Sequence, residues 1–95
     1  KQGQLAGLVV ENITSSLRRK HEIPARIKAG VVITSIEPNS AADRAGLRVG
    51  DVLVEVNQKS VRSIAAFKQR YGRSGKRTLL LIQRGERTLY IVLNK

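Results

Sequence analysis

The chain has 95 residues and a mass of 10.5 kDa, enough for one domain spanning residues 1–95. Its 41% hydrophobic and 26% charged content is that of a globular chain, and its apolar runs, such as Leu79–Ile82 and Leu89–Leu93, are far short of the ~20 residues a membrane helix needs. The absence of Cys excludes disulfides and thiolate chemistry, while 18 Lys and Arg against seven Asp and Glu leave a net charge of +11.

Residues 1–4 read as an N-terminal tail, and Lys1–Val10 is too short and too polar for a signal peptide. With no Met in the chain, it is expected to be a processed or excised piece of a longer protein. Leu8–Asn12 is a short apolar run with two valines, a candidate strand. Residues 14–29 are polar, basic at Arg18–Lys20 and interrupted by Pro24, so they read as an irregular basic loop with at most one helical turn. Gly30–Ile36 is β-branched and predicts a strand, stopped by Pro38–Asn39.

Ser40–Leu47 carries a helix signature. Ser40 is the expected cap, Asp43 completes a capping box, and Gly46 supplies the left-handed residue that ends the helix. Asp51–Val56 predicts a strand with Val52, Val54 and Val56 on one face, turned by Asn57–Lys59. A second helix is expected from its cap Ser63 to Tyr71, with Gly72 as its stop. Thr78–Gln83 and Thr88–Leu93 read as strands joined through Arg84-Gly85-Glu86-Arg87 in a tight hairpin. The expected class is therefore mainly β with two short helices, folded as a partly open barrel.

Several functions are disfavoured by the residues present. The one histidine, His21, lies in the irregular loop, with no nucleophile motif elsewhere to complete a triad. One His and scattered carboxylates have no metal-ligand spacing, so neither a metal nor a cofactor is expected. No catalytic residues are assigned. The segment Val56–Gly85 holds eight basic residues and no acid, a surface that attracts polyanions. Three aromatics, Phe67, Tyr71 and Tyr90, are too few for a base-stacking platform, and no nucleic-acid motif accompanies the charge. A specific nucleic-acid partner is not expected, nor is membrane insertion.

What remains is a pair of features that could face each other. Leu5-Ala6-Gly7-Leu8 places a glycine directly before a strand, and such a turn can aim the N–H groups of Ala6, Gly7 and Leu8 at an anion such as a terminal carboxylate. The strand that follows would offer its edge to an extended peptide. On the helix from Ser63, residues Ile64, Lys68 and Tyr71 stand at i, i+4 and i+7 and share one face, the other wall of a groove.

The string GVVITSIEPNSAADRAGLRVGDVL, from Gly30 to Leu53, resembles the centre of a PDZ domain, and Asn57 and the helix opening at Ser63 continue the match. With the strand Thr88–Leu93 last in order, the chain is similar to the bacterial, circularly permuted form. SIAAFKQRYG followed by LLLIQRGERTLYIVL most resembles the second PDZ domain of Do/HtrA-type envelope serine proteases. The resemblance implies a carboxylate-binding loop at Leu5, Ala6, Gly7 and Leu8, and a groove lined by Leu8, Val10, Ile64, Lys68 and Tyr71. It implies as partners the C-terminal or extended segments of unfolded proteins, together with other domains or subunits of a parent protease. The parent would be a serine endopeptidase of the periplasm or cell envelope, this piece being non-catalytic. Ala6 is smaller than the residue usual there, Lys68 puts a charge in an apolar stripe, and the loop from Ser15 to Ala29 is longer than a minimal turn. Two other roles stand beside peptide binding: a structural domain for oligomer assembly, and a polyanion-binding basic domain.

Overall fold

The computed structural model describes residues 4–5 and 7–94. The apolar and β-branched runs form strands β1 (Gln4–Leu5), β2 (Leu8–Asn12), β3 (Val31–Ile36), β4 (Val52–Val56), β5 (Lys59–Ser60), β6 (Arg77–Arg84) and β7 (Arg87–Asn94). Helices α1 (Ser15–Lys20), α2 (Ala41–Ala45) and α3 (Ile64–Arg73) lie between them. All pairings are antiparallel, in the order β1-β2-β3-β4-β6-β7, with β5 pairing β4. The sheet stays open, with β1 at one end of that order and β7 at the other.

Register explains where the core sits. Val31 faces Leu53 and Leu53 faces Ile82, and all three point inward with Ile33, Val56, Leu80 and Leu93. Leu8, Val10, Phe67 and Tyr71 join the same cluster, so α3 packs against the inner face of the sheet. On the outer face, Val32 opposite Val52 begins a second, smaller cluster with Ile23, against which Ile13, Leu17, Ile27 and Val54 pack.

Five local features differ from the sequence reading. Residues 15–20 form a true helix, because Thr14 Oγ1 accepts the Leu17 N–H at 3.1 Å and caps it. Gln4 and Leu5 form a short strand where the end of a tail and the start of the carboxylate-binding loop were expected. In β4 a register shift between Leu53 and Glu55 breaks the strict alternation, so Val52 and Val54 belong to the outer cluster and Val56 to the main core. Helix α3 runs through Gly72 to Arg73 and is capped by Ser74. Gly46 does end α2 with a left-handed φ of 95°, and Ser40 does cap it. The Asp43 carboxylate, however, accepts from the N–H of Asn39 rather than from that of Ser40.

Candidate functional site

The end of β2 and the start of α3 border one cleft. The tie between them is Asn12, whose Oδ1 at the end of β2 accepts the Ile64 N–H at the start of α3, 3.0 Å away. That N–H belongs to the first turn of a helix and has no partner within it. The bond therefore completes the helix end and fixes the spacing of the walls together. Ser63 Oγ caps another free donor of that turn, the Ala66 N–H, at 3.1 Å. Between strand and helix lies a cleft of about 420 Å³ lined by Asn12, Ser63, Ile64, Ala65 and Lys68.

The turn before β2 is held from behind. Gly7 has a φ of 85°, and its carbonyl accepts the Glu37 N–H at 2.8 Å. A β-carbon at Gly7 would fall on Ser40 Cβ and Oγ, so only glycine fits. Beyond this turn, Leu5 pairs with Leu8 and Gln4 with Val9, so β1 covers the first part of the outer edge of β2. Among the described residues the outer edge of Val10–Asn12 carries no strand. Here β2 can accept another.

Of the predicted site residues, Leu8 and Val10 are fully buried, with side chains in the main core beside Tyr71. Their contribution to a groove is therefore the backbone edge above a filled floor. Ile64 is half-buried against that core, and Ile64 and Lys68 both line the cleft. Tyr71 is buried and stacks at 6.0 Å from Phe67, at a tilt of 32°. Burial raises its phenol pKa above the ordinary value. Leu5 takes part through its backbone pairing, and Ala6 lies outside the described residues.

Two contributors escaped sequence reasoning. Asn12 carried only the weak signal of an asparagine ending a strand, and its partner is 52 positions away. Ser40, far along the chain, backs the glycine turn directly. His21 sits half-buried where its ring would meet a side chain at Gly50. No three His, Asp or Glu side chains among the described residues gather in a way that could hold a metal ion.

Comparison with known proteins gives a consistent picture. A family model described as a PDZ domain matches residues 32–84. The probable periplasmic serine endoprotease DegP-like of Rickettsia conorii is 34% identical over 86 residues, covering 86% of this chain and 16% of that protein. The periplasmic serine endoprotease DegP of Escherichia coli (strain K12) is 32% identical over 89 residues, or 90% of this chain and 18% of that one. The chain thus spans less than a fifth of each of these relatives. Among solved structures, the HtrA3 PDZ domain bound to a phage-derived ligand (FGRWV) superposes with a TM-score of 0.80 at 24% identity, over 95% of this chain and 82% of that one. The HtrA-type protease AlgW with decapeptide gives 0.79 at 20% identity, over 95% and 28%.

Proposed function

Because the chain belongs to the PDZ domain family, with homology to the PDZ domains of DegP and HtrA proteases, we propose that it is a non-catalytic module binding extended C-terminal peptides by β-augmentation. The observation that carries this reading is the outer edge of Val10–Asn12, which carries no strand among the described residues and ends at Asn12, where a cleft of about 420 Å³ is shared with α3. An incoming peptide adds as an antiparallel strand, its main chain supplying affinity and the cleft reading a side chain. Its terminal carboxylate points at the turn of Ala6, Gly7 and Leu8. To reach that turn, the peptide takes over positions that β1 holds opposite Leu8 and Val9. Two of the similar solved structures carry peptide ligands by their own descriptions, which supports the same use here. The names of the relatives support a place in a serine endopeptidase of the periplasm, where the domain would recruit substrates or regulate cleavage.

A second reading, docking to other domains or subunits of the same protein, is favoured by a bare apolar strip on the outer sheet face. There Tyr90 is 63% and Val92 47% exposed. The deciding experiment titrates a peptide with an apolar C-terminal residue, as free acid and as amide, at low and high salt. The acid should bind several-fold more tightly at both, since charge-assisted hydrogen bonds are about twice as strong as neutral ones. Equal binding of acid and amide at high salt would remove the carboxylate turn from the mechanism. No binding by either, together with self-association of the domain, would favour the docking role.

A further inference from the structure

The far end of α3 from the peptide cleft has a second concavity, of about 220 Å³, lined by Val56, Asn57, Lys59, Arg70, Arg73 and Ser74. Three of its six lining residues are cations, and none is an acid. The next two cations in the chain, Lys76 and Arg77, follow directly, so the stretch from Arg70 to Arg77 holds four basic residues and no carboxylate. Glu55 is adjacent in sequence, but Val56 faces the core while Glu55 pairs opposite Leu81 on the other face of the strand.

A helix end explains only part of this charge: Arg70 and Arg73 stand in the last turn of α3, but Lys59 comes from β5. Cations in a last helical turn commonly complement the free carbonyls there. In α3 the Tyr71 carbonyl already accepts the N–H of Ser74 at 3.2 Å and its Oγ–H at 2.6 Å. Ion pairing does not account for them either. The ion pairs among the described residues are Arg26–Glu86 and Arg84–Asp51, and neither involves Lys59, Arg70 or Arg73. Asn57 spends its Oδ1 on the Leu79 N–H at 2.9 Å, a bond that leaves both hydrogens of its amide nitrogen for another acceptor.

We propose that this concavity is a phosphate-binding site, separate from the peptide groove. A single carboxylate would neutralise one of three converging cations, whereas a phosphate or diphosphate group offers the charge and the several acceptor oxygens that two guanidinium forks and an ammonium require. The volume holds a diphosphate or a phosphate-bearing headgroup with room for its first polar substituent. The anion can come free in solution or on an anionic lipid, and the chemistry recognised is the same.

The test is an amide-resolved NMR titration of the whole 95-residue chain with inorganic pyrophosphate at about 150 mM salt, where diffuse surface attraction is screened within about 8 Å. Perturbations should centre on residues 57–59 and 70–77. The variant R70Q/R73Q should weaken binding at least about tenfold, while R19Q/K20Q on α1 leaves it unchanged. The single variant R73Q, at an exposed position, should weaken it in the same direction, and it guards against a folding defect from the half-buried Arg70. A parallel arm uses vesicles of phosphatidylglycerol against phosphatidylcholine. Binding of both pyrophosphate and the anionic vesicles, lost in R70Q/R73Q, identifies the headgroup as a source. Binding of pyrophosphate alone identifies the free anion. Equal weakening by R19Q/K20Q, or no perturbation at residues 57–59 and 70–77 by either probe, overturns the site.

Discussion

Arg84→Ala tests the partner of Asp51, the one buried charge among the described residues. The Asp51 side chain is 1% exposed, and Arg84 grips it with two bonds, Nε to Oδ1 and Nη2 to Oδ2, each 2.9 Å. The same Nη2 also donates to the Gly46 carbonyl at 2.9 Å, so one guanidinium joins the β6–β7 hairpin to the turn after α2. Removing it leaves a buried carboxylate with the Arg48 N–H as its remaining donor, at 2.9 Å. Breaking a buried pair from one side costs about 3–5 kcal/mol, and the partial exposure of Arg84 argues for the lower end. A chain of this length has about 5–14 kcal/mol in total, so the loss is a large fraction. With a urea m-value of about 1–1.5 kcal/mol/M, 3 kcal/mol should lower the unfolding midpoint by about 2–3 M. Removing both charges, as Asp51→Asn with Arg84→Gln, should cost at least about 1 kcal/mol less than the two single changes added together. The bond to Asp51 holds the Arg84 guanidinium pKa above its ordinary value. A raised pKa gives stabilisation that is complete below the ordinary arginine range, so the R84A deficit should be constant from neutral to pH ~10. A midpoint shift under about 0.5 M, or a strictly additive double variant, would refute this reasoning.

Two glycines with similar φ should behave differently: Gly46→Ala, with open space around the new methyl, should cost about 1 kcal/mol in urea unfolding. Gly7→Ala should cost clearly more and also abolish peptide binding, because its β-carbon meets Ser40. For Tyr71, the raised pKa means stability complete below pH ~10 and lost as pH climbs through the higher folded value. Tyr71→Phe should therefore show a shallower alkaline loss than the parent in thermal melts between about pH 9 and 11. Asn12→Ala should cost about 1 kcal/mol by freeing the Ile64 N–H, and calorimetry should show weaker peptide binding as the two walls lose their tie.

Much of the fold is written in local signals. Gly30–Ile36, the Ser40 cap and the Gly46 stop are short-range consequences of residue type, and the structure contains each. The PDZ resemblance rested on Gly30–Leu53, which falls, all but its first two residues, within the matched region 32–84. What local reading could not see depends on partners far along the chain. Val56 turns inward because β4 bulges to keep register with β6, a property of the pair rather than of the strand. Gly72 fails to stop α3 because nothing requires a left-handed residue there, and Ser74 caps the helix two positions later. The Asp51–Arg84 pair and the Asn12–Ile64 tie span 33 and 52 positions. In the candidate site, side-chain spacing placed Ile64, Lys68 and Tyr71 on one helix face, but only packing sorts Tyr71 into the core and leaves Lys68 at the cleft.

The layer that residues 13–29 lay over β3 and β4 behaves as a graft with its own footing. Ile13, Leu17, Ile23 and Ile27 rest on Val32, Val52 and Val54, on the opposite side of the sheet from α3. Its outer anchor, Arg26 to Glu86, is a solvent-exposed pair of small energetic weight. Such a patch can peel away while the main core persists, since opening it uncovers a few side chains rather than the whole interior. Its length and charge are thus free to drift without disturbing the Val10–Asn12 edge. Arg18, Arg19 and Lys20 ride on this layer, so their charges can be changed at the surface while the peptide-facing edge keeps its own support in the main core.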